Sequence, residues 1–130
     1  MTDDTAVLTV AALELLAAVG IAAFWVTWFR EDHGQAWLPP GYVQHERVFV
    51  FPDALLAVLL VVSAGLLVAG EPLGHSLSLV CAGMLAFLGI IDGAYFWQTG
   101  LFARERGGVA NAAVVIGVLA LSVLLLVFFA

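Results

Sequence analysis

AVLTVAALELLAAVGIAAFWVTWF, residues 6–29, holds one charged side chain, Glu14, in twenty-four positions. A helix rises about 1.5 Å per residue and needs about 20 apolar residues to cross the hydrocarbon core of a bilayer. The stretch is long enough to do so. The residues before it read MTDD, acidic where a secretory signal peptide is basic. The apolar run also outlasts a signal peptide's apolar region, so a retained first span is expected.

The pattern recurs at residues 51–69, 73–98 and 109–130. None of these runs alternates polar and apolar residues as a strand does. Inside lipid each segment must pair its own backbone groups, which selects helices. Composition agrees: 64% of the 130 residues are hydrophobic and 11% charged, with a mean hydropathy of +1.12. Soluble domains carry about 25% charged residues. The sequence therefore predicts an all-α integral membrane protein: four transmembrane helices in an antiparallel bundle, forming a single domain over residues 1–130.

GEPLG (70–74) and ARERGG (103–108) are short turns, making spans two and three, and then three and four, neighbours. The first loop, 30–47, is longer and contains Trp37, Pro39, Pro40 and Tyr42, a composition suited to an interfacial segment. All four basic residues, Arg30, Arg47, Arg104 and Arg106, fall in the first and third loops. The positive-inside rule places loops 30–47 and 103–108 in the cytoplasm and both termini outside, with the plasma membrane as the expected location.

Ten acids against four Arg give a net charge of −6, which excludes a nucleic-acid partner. The single Cys81 rules out an intramolecular disulfide and dithiol chemistry. No phosphate loop, nucleophile elbow, HExxH or CxxC is present, so no catalytic residues, metal or cofactor are assigned and a hydrolase is not expected. Loop 30–47 offers Glu31, Asp32, His33, His45 and Glu46, but without compact ligand spacing these read as a solvated interface. Gly89 and Gly93 form a GxxxG, and Ala113, Gly117 and Ala120 form a small stripe. Both suit close helix packing within the chain or, alternatively, a homodimer seam.

Charged groups at membrane depth cost about 2.5–3.5 kcal/mol each on insertion scales, so Glu14, Asp53 and Asp92 each need a reason. Depth counting sets Glu14 in the middle or outer half. Asp53, Asp92 and Asn111 fall in the inner half. Pro52-Asp53 also reads as an ordinary helix start, with Pro in the first turn and an acid facing the helix dipole. Asp92 heads DGAYFWQTG, with Tyr95 one turn away. An acid beside aromatics suits a cationic amphiphile, although an aromatic belt accounts for Tyr95 and Trp97 equally simply. Glu14, Asp53, Asp92, Tyr95 and Asn111 are the candidate ligand- or proton-binding residues.

The length, the four spans and Glu14 in the first span resemble the small multidrug resistance transporters. AYFWQTG is similar to their AYxxWxG segment. That resemblance implies proton exchange at the Glu for cationic drugs within a dimer. The chain departs from the pattern in its long first loop, in Asp53 and Asp92, and in the Asp preceding the Ala-Tyr-Trp piece. The architecture alone also resembles the sterol-isomerase and sigma-2-receptor class, with an acidic pocket for amphipathic amines or sterols.

The expected function is binding or transport of a small cationic or amphipathic solute, coupled to protons. The alternatives are an accessory subunit gripping a membrane partner, and a lipid- or sterol-modifying enzyme whose carboxylates do acid–base work.

Overall fold

The computed structural model describes residues 4–130, so the first three residues of the acidic MTDD stretch lie outside the described part. Five α-helices follow in order: α1 (Asp4–Arg30), α2 (Tyr42–Val48), α3 (Val50–Val68), α4 (Leu73–Thr99) and α5 (Gly108–Phe129). A short 3-10 turn, Arg104–Arg106, precedes α5, and no strand occurs among the described residues. Four helical stretches are long and apolar enough to cross a membrane: α1, α2 continued by α3, α4, and α5. Their limits fall within a residue or two of the apolar runs, except that the second begins at Tyr42 rather than 51.

The added turns, α2, are set off from α3 at a proline. Pro52 has no N–H to donate to the carbonyl of Val48, so the ladder is interrupted where α2 meets α3. Phe49 bridges the two helices in helical geometry, its N–H bonding to Glu46 O and its carbonyl accepting from Asp53 N. The first loop is thus partly helical, and Glu46 within it is buried rather than solvated.

The chain divides into two compact units, one running up to Ser78 and the other covering Leu79–Ala130. In the first, α1 lies along α3 in the opposite sense: Trp25 meets Asp53 at one end and Glu14 meets Ser63 at the other. Buried positions recur every three or four residues on both helices. On α1 they are Val10, Ala11, Glu14, Ala18, Trp25 and Trp28, and on α3 Leu56, Leu60, Ser63, Ala64 and Leu67. This is the spacing of one helical face against another. The faces turned away are equally apolar, with Leu16, Val19 and Phe51 at 66%, 65% and 77% exposure.

Gly70 ends α3. Its φ of +74° lets Glu71 N reach back to Leu66 O, the closing bond of a Schellman turn. The chain then doubles back, and Gly74 in the first turn of α4 comes against the α3 backbone. A Cβ at Gly74 would stand 2.9 Å from the nitrogen of Leu67.

In the second unit the rest of α4 packs on α5. The Ser122 hydroxyl donates to Ala82 O at 2.7 Å. Asn111, in the first turn of α5, donates its amide to Leu101 O at 2.7 Å, tying the helix start to the connection before it. Of the GxxxG pair, only Gly89 is a tight contact. A Cβ there would meet Leu119 Cδ2 at 2.7 Å, whereas at Gly93 it would meet Val115 Cγ1 at an ordinary 3.4 Å.

Candidate functional site

The first unit buries a polar cluster contributed by three helices. Glu14 projects from α1, Ser63 from α3 and Ser78 from the second turn of α4, all with 0% exposure. Ser78 Oγ donates to Glu14 Oε2 at 2.8 Å. Ser63 Oγ stands 2.8 Å from Ser78 Oγ, 3.2 Å from the carbonyl of Gly74 and 3.3 Å from Glu14 Oε2. The close approach at Gly74 is what brings its carbonyl within reach. Glu14 Oε1 is buried and, among the described residues, has no hydrogen-bond partner.

Counting protons restricts the chemistry. Each serine owns one hydroxyl proton, while four oxygens are linked by four contacts of 2.8–3.3 Å. With a proton on Glu14 Oε2, every donor finds one acceptor in a single direction: Glu14 to Ser78, Ser78 to Ser63, Ser63 to Gly74 O. With an ionised carboxyl the two hydroxyl protons are drawn toward Oε2 and the Gly74 carbonyl loses its side-chain donor. Oε1 would then be half of a bare buried charge. Burying an unpaired charge costs far more than the few kcal/mol of an unpaired neutral oxygen. The geometry therefore suits a carboxyl that carries its proton.

Asp53 lies elsewhere. It is ten residues from Ser63 along α3, about 15 Å at the helical rise. Trp25 Nε1 donates to its Oδ2 at 2.9 Å. Trp25 also stacks edge-on against Phe24 and Trp28. Trp28 Nε1 reaches Tyr42 OH at 3.3 Å, and His33 stacks on Trp28 with ring centroids 4.3 Å apart and Nε2 2.8 Å from Trp28 O. This end of the unit is an aromatic clasp holding the first loop against α1. Glu14 and Asp53 thus occupy opposite ends of the α1–α3 pair.

Asp92 and Tyr95 are half-buried on α4, and Trp97 beyond them is 80% exposed. Among the described residues no three His, Cys, Asp or Glu side chains converge as metal ligands. An aliphatic groove of 430 Å³ runs between α1 and α3, lined by residues such as Leu15, Ala18, Ala22, Val58 and Val61. Neither Glu14 nor Asp53 lines it.

The two serines were the readable part that carboxylate counting passes over. Ser63 is five residues from the end of α3 and Ser78 five from the start of α4, so both lie about 8 Å from the turn between them. The depth arithmetic that isolates Glu14, applied to hydroxyls as well, places Ser63 and Ser78 level with each other and within about a turn of the Glu14 depth.

Comparison with protein-family models, with curated proteins and with solved structures returns no match.

Proposed function

We propose that this chain is a small polytopic membrane protein that binds an exchangeable proton at Glu14. The proton is used to bind or move a small cationic or amphipathic solute. In this reading the four long helices cross the plasma membrane as an antiparallel bundle, with both termini outside and loops 30–47 and 103–108 in the cytoplasm. The supporting observation is the fully buried carboxyl whose Oε2 is hydrogen-bonded to Ser78, itself bonded to Ser63, and whose Oε1 is unpartnered among the described residues. The apolar outward faces of α1 and α3 around that polar interior favour a lipid surround. Proton uptake by the purified chain, followed after a pH jump, tests the site. One proton per chain should be lost in Glu14→Gln, and an unchanged count overturns the reading. Flux of protons and of cationic dyes in proteoliposomes then separates carriage from binding.

A second reading, an accessory subunit, draws on the fact that the Glu14 bonds join α1 to both α3 and α4. It expects Glu14→Gln to lose stability or a stoichiometric membrane partner while proton uptake is unaltered.

A further inference from the structure

We infer that the Glu14–Ser78–Ser63–Gly74 centre exchanges its proton for a sodium ion. The inference rests on the reading of Glu14 as an exchangeable-proton site and names the cation that competes there. The bonded atoms of the centre are all oxygens, namely Glu14 Oε2, two hydroxyls and one backbone carbonyl, and Glu14 Oε1 is a further buried oxygen left without a bond among the described residues. Oxygen-only sets select hard cations over transition metals.

Charge selects among the hard cations. One carboxyl provides one negative charge, which balances a monovalent ion and leaves a divalent one uncompensated in a buried site. The exchange is electroneutral: the Glu14 carboxyl gives up its proton to solvent and the carboxylate holds Na⁺, so the net charge of the centre does not change. The titratable groups on the helices that bond Glu14 are Asp53 on α3, ten residues from Ser63, and His75, Cys81, Asp92 and Tyr95 on α4. Glu71 lies in the turn and Asp4 at the start of α1. The hydrogen bonds of Glu14 run to Ser63 and Ser78.

Size selects again. The oxygens stand 2.8–3.3 Å apart around residues with no exposed surface. Oxygens at about 2.3–2.6 Å from a central ion are about 3.3–3.7 Å apart at right angles. A small ion is admitted once the closest oxygens, 2.8 Å apart, separate by about 0.5–0.9 Å, while an organic ammonium finds no room. The serine protons displaced by the ion have acceptors one turn back, because a helical serine can bond the carbonyl four residues earlier. For Ser78 that residue is Gly74, already part of the centre, and for Ser63 it is Leu59.

Equilibrium binding of radioactive Na⁺ to the full chain in detergent, from mildly acidic to alkaline pH, tests the inference. The expected result is one saturable Na⁺ per chain, one proton released per ion, and an apparent affinity falling about tenfold per pH unit in the acid range. Equal K⁺ should not displace it. Glu14→Gln should abolish binding, and Ser63→Ala, which keeps the carboxyl, should weaken it about tenfold or more. Absence of saturable Na⁺ binding in the wild-type chain, or binding unaltered in Glu14→Gln, overturns the inference. If Na⁺ binding is absent while Glu14-dependent proton uptake persists in sodium-free buffer, the proton reading stands alone. If both are absent, that reading falls as well.

Discussion

At the scale of single residues, the chain isolates one carboxyl and surrounds it with hydroxyls instead of a counter-ion. Among the described residues the hydrogen bonds of the Glu14 side chain run to Ser63 and Ser78 and to no basic group. Side-chain hydrogen bonds between helices in lipid average about 0.6 kcal/mol and reach about 1.7 kcal/mol. Ser78→Ala removes the shorter bond to Glu14 and breaks the chain to Ser63, so a loss of about 1–2 kcal/mol in unfolding free energy is expected in detergent titration. Glu14→Gln keeps shape and hydrogen-bonding capacity and should change stability less, yet abolish proton uptake. That contrast separates function from stapling. At the other end, Trp25→Phe removes the donor to Asp53 and keeps an aromatic ring in the clasp. A loss of about 1 kcal/mol is expected, with proton uptake at Glu14 unaltered, because the two groups stand about 15 Å apart.

At the scale of elements, most helix limits were written in the apolar runs, with α3 and α4 closing at Gly70 and Gly100, both at positive φ. What the runs did not announce is the helix α2 inside the first loop. Aromatic contacts made at a distance in sequence, Trp28 with Tyr42 and His33, hold that segment. The GxxxG pattern was legible as a close approach, but its two glycines are unequal. Gly89→Ala should destabilise by about 1–3 kcal/mol, since its Cβ meets Leu119 Cδ2 at 2.7 Å. Gly93→Ala, with an ordinary 3.4 Å contact, should be neutral or stabilising by up to about 1 kcal/mol from helix propensity. Paired thermal melts of the two variants read this difference directly. The same spacing in the sequence hides it, because the facing side chains belong to α5.

At the scale of the whole molecule, the sequence made the helix class plain through length and hydropathy. The candidate site was half legible: Glu14 stood out by the cost of a membrane-depth charge, whereas Ser63 and Ser78 drew no attention because hydroxyls are cheap in apolar helices. Only the turn at Gly70 and the close approach at Gly74 bring them to the carboxyl. The proposed orientation has its own test. Single cysteines at Ala36 and Ala103, in a Cys81→Ser background, should react with an impermeant thiol reagent only from the cytoplasmic side. One at Glu71 should react only from outside. Labelling from the opposite sides would reverse the topology.

The central claim is that Glu14 holds a proton that can leave. Infrared difference spectroscopy of the reconstituted protein reads it most directly, through the C=O stretch of a protonated carboxyl. A band should be present at neutral pH, disappear reversibly as the pH is raised, and be missing from Glu14→Gln. A band that persists in Glu14→Gln, or no protonated-carboxyl band at all, would contradict the account.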